Sequence, residues 1–130
     1  MATTFRTPQT LHPPLGAYAH QAEVTGANRT LIMSGQVGRT LGGEVPEDPI
    51  AQVEVALENV RRNLAAAGMA VGNLTKLIWY LVGDIDPARR RQVTRDWLGE
   101  HEPCATLVYV VGLAAPEYRV EIDGWACMPA

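Results

Sequence analysis

The sequence predicts an α+β fold in which two helices cover one face of a mixed sheet. Three observations support this prediction. Asp48-Pro49 and Asp86-Pro87 each precede a stretch with helical periodicity, and each stretch ends at a glycine. Short strand-like apolar runs lie before, between and after these stretches. The runs at the two ends of the chain are consecutive, which indicates antiparallel pairs there.

The first third of the chain predicts strands and loops. FRTPQTLHPPLGAY is rich in proline and turn residues, which indicates an extended arm with a loop and room for an extra strand. AHQAEVTG and RTLIMSGQV are two strand candidates separated by residues 26–29, and this spacing predicts a hairpin. The glycine-rich segment GRTLGGEVPEDP connects them to the first helix.

The first helix begins at Pro49, where Asp48 can cap free backbone N–H groups and proline loses no hydrogen bond. Gly68 ends it in the left-handed conformation. Its apolar residues recur at spacings of three and four, which places one stripe toward the core: Ile50, Val53, Leu57, Val60 and Leu64.

NLTKLIWYLV then predicts a buried strand, since its apolar residues do not alternate with polar ones. ARRRQVTRDWL predicts the second helix, which ends at Gly99 and has a narrow apolar seam of Val93, Trp97 and Leu98. ATLVYVV and YRVEIDGWA, joined by GLAAPE, are the last two strands. Because both helices lie on one face of the sheet, apolar residues on the other face indicate a homo-oligomer.

Length, charge and composition exclude several protein classes. The 130 residues predict a single domain, 1–130, and the net charge of −3 gives no general attraction to nucleic acid. The two cysteines and three histidines show no metal-ligand spacing, and no nucleotide-binding or nucleophile-elbow motif is present, so we expect no metal and no cofactor. Without a signal-peptide core or a run long enough to cross a bilayer, the chain is expected to be a soluble cytoplasmic protein.

The last strand carries two acids on the face away from the helices. Side chains alternate across a strand, so one face holds Val120, Ile122, Gly124 and Ala126, and the other holds Arg119, Glu121, Asp123 and Trp125. An acid on the second face either pairs with an arginine or lines a cleft between subunits.

Six stretches of the chain resemble the Rid family of reactive intermediate deaminases, also called YjgF: LGAYAHQ, LIMSGQV, GGEVPEDPIAQ, ALENVRRNLAAAG, EHEPCATLVYV and RVEID. They follow the family's order and spacing and cover nearly the whole chain. The resemblance implies a chorismate-mutase-like fold, a homotrimer, and small-molecule sites in clefts between adjacent subunits. Family members that act as deaminases hydrolyse enamines and imines such as 2-aminoacrylate.

The resemblance also implies which residues line the cleft. Glu121 matches the acid that positions or activates water in the family. Tyr18, from GAY, is implied as a cleft wall or a hydrogen-bond donor. Ser34 and Gly35, from SGQ, are implied as substrate-binding residues.

Position 105 departs from the family pattern. In the family's PARS motif this position is the arginine that binds the substrate carboxylate. Here the residue is Ala105, between Cys104 and Thr106. A guanidinium holds a carboxylate with charge-assisted hydrogen bonds worth about 1.5–3 kcal/mol, and alanine offers nothing comparable. Backbone groups near these three residues, or the side chains of Arg119 or Arg39, are the remaining candidates for binding the substrate. If they do not bind substrate, we expect both arginines to be solvated or ion-paired, and Arg119 to neutralise Glu121 or Asp123 of its own strand.

Three functions follow from these residues. The first is hydrolysis or tautomerisation of a non-standard imine or enamine, with Glu121 as acid and base. The second is a non-catalytic ligand-binding or regulatory trimer. The third is an endoribonuclease or translation inhibitor, for which four arginines between positions 89 and 95 would form a basic helix face. A solvated helix face is the simpler interpretation, because the net charge is negative and no aromatic residues interleave these arginines.

Overall fold

The computed structural model of the chain describes all 130 residues as six strands and two α-helices, with a short 3₁₀ turn at Val71–Asn73. In chain order they are β1 (Ala2–Arg6), β2 (Gln21–Thr25), β3 (Asn28–Val37), α1 (Pro49–Ala66), β4 (Leu74–Leu81), α2 (Pro87–Leu98), β5 (Cys104–Tyr109) and β6 (Val120–Pro129). This order confirms the predicted α+β class, including the extra strand in the N-terminal arm.

Four strands form the main sheet, in the order β3-β6-β4-β5. β4 and β5 run parallel, whereas β6 is antiparallel to both β3 and β4, so the sheet is mixed as predicted. The expected antiparallel pair of the last two strands is wrong, because β4 lies between β5 and β6.

The predicted hairpin between β2 and β3 is wrong. β2 pairs with β1 in a separate two-stranded sheet, and β3 pairs with β6 from Asn28 opposite Pro129 to Val37 opposite Glu121. Gly26, at φ 79°, turns the chain from one sheet to the other. β2 instead pairs with β1 along its whole length, from Gln21 opposite Arg6 to Thr25 opposite Ala2.

Both helices begin and end where the sequence predicts. Asp48 accepts a hydrogen bond from the Ile50 backbone N–H at 3.1 Å, and Asp86 caps α2 in the same way. Gly68 and Gly99 follow the two helices at φ 71° and 62°, where a β-carbon would be strained. No helix here combines the length and the apolarity that crossing a bilayer requires.

The hydrophobic core lies between α1 and the helix-facing side of the main sheet. The predicted stripe of α1 is buried along its whole length. Residues from β4 and β6 meet it, and they are Leu74, Leu77, Trp79, Leu81, Val120, Ile122 and Ala126. The predicted alternation along β6 is thereby confirmed, since its other face is only partly covered.

One buried residue of α1 is polar. Gln52 is 1% exposed, and its Nε2 donates to the carbonyl oxygens of Pro46 at 2.8 Å and Glu117 at 2.9 Å. Its Oε1 accepts a hydrogen bond from the Arg119 backbone N–H at 2.8 Å. The amide therefore ties α1 to the connection that precedes it and to the start of β6.

Candidate functional site

Glu121 lies on the sheet face opposite the helices, beside an irregularity in β3. The β3–β6 register shifts between Met33 and Gln36, and Ser34 and Gly35 occupy this shift. A β-carbon built on Gly35 would lie 2.6 Å from Cδ and 2.7 Å from Oε2 of Glu121. The carboxylate therefore packs directly on the Gly35 backbone, and it forms no ion pair within the chain.

A tyrosine and a second acid share this face. Tyr80 lies directly opposite Glu121 in the β4–β6 ladder, and its hydroxyl donates to Asp123 Oδ2 at 3.1 Å. This hydrogen bond, together with desolvation and the charges of both acids, raises the pKa of Tyr80. The tyrosine consequently stays protonated at neutral pH and fixes the orientation of Asp123.

Ala105 lies on the opposite side of the sheet. It pairs with the buried Leu77 and so faces the helices. A groove of about 420 Å³ opens there between β5, α2 and the loop before β2, and Tyr18, Trp79 and Leu107 line it together with Ala105. The structure thus brings two of the predicted site residues, Tyr18 and Ala105, into one concave surface.

Tyr18 is held in place by the loop before β2. Its hydroxyl oxygen accepts a hydrogen bond from the Leu15 backbone N–H at 3.1 Å. Its ring packs edge-on against the His20 ring, with 5.7 Å between the ring centroids. The hydroxyl proton remains free to be donated into the groove.

The predicted site residues form two groups that one chain does not bring together. The acid half-site consists of Ser34, Gly35 and Glu121, and the groove half-site consists of Tyr18 and Ala105. β4 separates β6 from β5, which puts the two half-sites roughly 10 Å apart across the sheet. The two half-sites are also about 10 Å apart along the strand direction, and they lie on opposite faces of the sheet.

Cys104 and Thr106 alternate with Ala105 and therefore lie outside the groove. Thr106 Oγ1 accepts a hydrogen bond from Lys76 Nζ at 2.8 Å. Desolvation raises the pKa of the Cys104 thiol, and the Lys76 charge only partly opposes this effect. Cys104 is consequently a protonated thiol at neutral pH.

Arg119 does not neutralise the acids of its strand, which corrects that expectation. Its Nε donates to the Val82 carbonyl at 2.8 Å and its Nη2 to the Asp84 carbonyl at 3.1 Å. The guanidinium lies over Gly83, so it holds the loop between β4 and α2. Arg39 is likewise engaged, because its Nη1 donates to the Tyr118 hydroxyl at 3.3 Å.

One wall of the groove is cationic and is formed by the helix for which the sequence predicts a solvated face. Arg90, Arg91 and Arg95 of α2 line it on the side facing Ala105. The spacing of Arg91 and Arg95, four residues apart, indicates a shared helix face. Only the structure shows that Arg90 joins them and that this side of α2 borders a groove beside β5. No group of three or more His, Cys, Asp or Glu side chains is placed to hold a metal ion.

Comparisons with known proteins give one family. A sequence model of the family described as Endoribonuclease L-PSP matches residues 10–128. The Escherichia coli K12 protein TdcF, provisionally named a reactive intermediate deaminase, is 31% identical over 91 residues, which cover 68% of this chain and 70% of TdcF. The RutC family protein PH0854 of Pyrococcus horikoshii is 27% identical over 119 residues, covering 87% of this chain and 88% of that protein.

Solved structures give the same fold. YyfB of Yersinia pestis, a Rid-family protein of unknown function, superposes with a TM-score of 0.85 at 27% identity, covering 98% of this chain and all of YyfB (100%). Escherichia coli TdcF, in a structure with bound serine, superposes with a TM-score of 0.70 at 28% identity, covering 95% of this chain and 94% of TdcF.

Proposed function

The chain belongs to the Rid (YjgF) family, and on this premise we propose that it hydrolyses an imine or enamine in a cleft between two copies of itself. The observation that carries the proposal is the carboxylate of Glu121, which has no ion-pair partner and is held against Gly35 by the irregularity in β3. TdcF, the relative described above, is named for deamination of reactive intermediates, which supports this reaction class.

The proposed cleft requires a second copy of the chain, because one chain holds the two half-sites apart. Two apolar surfaces favour such an assembly. β5 is an edge strand with the half-exposed apolar residues Leu107, Val108 and Tyr109. On the sheet face that carries Glu121, Ile32 is 72% exposed and its cross-strand partner Trp125 is 47% exposed. We assign these surfaces to a homotrimer, in which the acid half-site of one copy faces the groove half-site of the next.

The proposed chemistry needs one acid–base group and a water molecule. The reacting group is the protonated C=N bond (iminium), which an enamine forms by taking a proton from solvent on carbon. Glu121 accepts a proton from water as the water oxygen bonds to the iminium carbon and the C=N π electrons move to nitrogen, giving a neutral carbinolamine. The carboxyl then returns the proton to the nitrogen. The C–N bond breaks as the hydroxyl oxygen forms the C=O bond, its proton passes to Glu121 and on to solvent, and ammonia and a carbonyl compound leave. A positioned general base of this kind contributes about 10²- to 10⁴-fold to a rate.

The proposed substrate differs from a simple 2-imino acid. Ala105 places no guanidinium beside the reacting carbon, and Arg119 and Arg39 are engaged elsewhere in the chain. A carboxylate next to the C=N bond would lose hydrogen bonds worth about 1.5–3 kcal/mol, which corresponds to roughly 10- to 100-fold in affinity.

Ammonia release from two substrate classes tests the proposal. The wild-type protein is incubated with freshly generated 2-aminoacrylate and, separately, with imines that have no carboxylate on the imine carbon. We expect release from the second class, and about a 100-fold loss of rate in Glu121→Gln. Asp123→Asn is the matched control, because Asp123 lies on the same strand face and is expected to leave the rate within a few-fold. Full activity of Glu121→Gln, or fast turnover of 2-aminoacrylate, would refute the proposal.

A ligand-binding trimer without catalysis is the second candidate. The observation that favours it is Ala105 itself. The groove is present, but the position that carries the carboxylate-binding arginine in the family is occupied here by an uncharged alanine. Under this alternative neither substrate class releases ammonia above the uncatalysed rate, although small molecules still bind in the groove.

A further inference from the structure

We propose that the groove beside Ala105 is an anion-binding subsite in which Arg90, Arg91 and Arg95 hold the oxyanion of a small organic molecule. The ligand class is a carboxylate or phosphate monoester on an apolar, preferably aromatic, body. That the bound molecule is the substrate rests on the proposed function, whereas the binding itself does not. The anion then lies toward α2, and the substrate carries it at a distance from its C=N bond.

The three arginines are the first support for this subsite. They lie at positions i, i+1 and i+5 of α2 and line one groove, and none of them forms an ion pair within the chain. Arg89, in the same helix, instead lies 3.7 Å from Asp48. Three like charges without carboxylate partners repel one another, so an anion among them lowers the electrostatic energy.

Arg90 provides the second support. Its Nε is buried and has no hydrogen-bond partner. A buried donor without an acceptor is unfavourable, and the Arg90 side chain lines the groove, so its guanidinium gains a hydrogen bond by turning toward an oxyanion bound there. Desolvation lowers the pKa of Arg90, which indicates a site drier than an ordinary helix surface. Thr94 also lines the groove, but its hydroxyl proton is already donated to the backbone carbonyl of Arg90 at 2.8 Å, so it leaves an anion in the groove to the arginines.

The floor of the groove provides the third support. Trp79, Leu107 and Tyr18 form an apolar surface opposite the arginines, and the volume of about 420 Å³ is in the range of small-molecule sites. The small side chain of Ala105 keeps this space open, whereas a longer residue there would project into it. The chain thus has no cation at position 105 of β5, but three arginines without carboxylate partners on α2.

Calorimetry with wild-type protein tests the subsite without requiring turnover. The probes are benzoate, phenyl phosphate and the uncharged benzamide. We expect at least one of the two anions to bind at least tenfold more tightly than benzamide, and the tighter of the two identifies the oxyanion. Equal binding of benzamide, or no binding of either anion, would overturn the proposal.

Matched double variants locate the binding. Arg91→Gln/Arg95→Gln removes two exposed arginines of the groove and leaves the partly buried Arg90 in place, so the fold should persist. Arg61→Gln/Arg62→Gln changes the net charge equally on α1, away from the groove. We expect the first variant to lose at least tenfold in affinity for the anion and the second to match wild type. Equal losses in both variants would mean a general charge effect and would refute the subsite.

Two further measurements distinguish the anion subsite from the proposed catalysis and from RNA binding. Glu121→Gln should bind the anionic probe as wild type does, even if it has lost all turnover, so failure of catalysis leaves the subsite standing. A single-stranded RNA oligonucleotide serves as the competing ligand. If RNA binds in an Arg91- and Arg95-dependent manner and neither small anion does, the groove serves nucleic acid and the proposal is wrong.

Discussion

The carboxylate of Glu121 lies so close to Gly35 that a β-carbon at position 35 would overlap it. The shift in the β3–β6 register makes this approach possible, because it places the glycine backbone directly beside the acid. The arrangement restricts where the carboxylate can point, which is what a general base requires.

Gly35→Ala should therefore displace the acid without unfolding the protein. The atoms that the new methyl group would meet belong to the flexible end of the Glu121 side chain, so the side chain moves rather than the backbone. We expect ammonia release to fall about 10-fold or more, with a change in unfolding free energy under about 1 kcal/mol. Steady-state rates and urea unfolding measure the two effects.

Gly112→Ala is the control for this substitution. Nothing lies within 4 Å of a β-carbon at position 112, and that glycine does not have a positive φ. The Gly112→Ala variant should release ammonia at the wild-type rate. A fully active Gly35→Ala would show that the position of the Glu121 carboxylate does not matter to the reaction.

Trp125→Lys tests the proposed assembly. The indole and its cross-strand partner Ile32 form an exposed apolar pair, and a lysine there would place a charge in an interface between copies. We expect sedimentation to show a shift from trimer toward monomer, together with loss of turnover. Leu41→Lys, in a loop where the leucine is 93% exposed, should leave both unchanged. A wild-type protein that sediments as a monomer at all concentrations would contradict the assembly.

Gln52→Leu should lower the stability strongly. Leucine has nearly the volume of glutamine, but it leaves the carbonyls of Pro46 and Glu117 and the backbone N–H of Arg119 without their partner. We expect the free energy of unfolding to fall by about 2–4 kcal/mol. Urea titration at one fixed protomer concentration measures it, since assembly would make stability depend on concentration. The exposed Gln92 serves as the control position, and a Gln52 variant no less stable than Gln92→Leu would show that these hydrogen bonds contribute little.

Cys104 should react slowly with iodoacetamide at neutral pH. Desolvation raises the pKa of its thiol, so the reactive thiolate forms only at a pH above that of an ordinary cysteine. Lys76→Met should shift the alkylation profile to still higher pH, because the Lys76 charge lowers this pKa. Mass spectrometry distinguishes Cys104 from the buried Cys127. Rapid modification at pH 7 would contradict the prediction.

Glu58 should make stability depend on pH under acidic conditions. Its hydrogen bond with Arg61, reinforced by the Arg62 pair and opposed by desolvation, lowers its pKa from 4.5 to about 2. A lowered pKa in the folded state gives a stabilisation that is complete above about pH 4.5 and is lost as the pH falls toward 2. Because the side chain is 40% exposed, water and salt screen the effect and it remains small.

Thermal unfolding between pH 2 and 7 measures this dependence. Wild type should melt slightly higher than Glu58→Gln at neutral pH, and the two curves should converge near pH 2. A difference that persists unchanged at the lowest pH would mean that the substitution acts through packing rather than charge.

The sequence by itself determined the local elements of this protein. An aspartate cap followed by proline, an apolar stripe at helical spacing and a glycine with positive φ define each helix through interactions within a few residues. The two faces of β6 follow in the same way from side-chain alternation. The matching segments that indicated the family are likewise a property of the sequence.

Only the tertiary structure decided which partners meet. β2 does not pair with β3, its neighbour in the sequence, but with β1, whereas β3 pairs with β6 near the other end of the chain. Gln52, Arg119 and the arginines of α2 are polar residues whose roles depend on what other elements place beside them: buried carbonyls, a loop, or an open groove. Sequence spacing carries no such information, because hydrogen bonds and charges act over a few ångströms in space between residues that lie far apart in the chain.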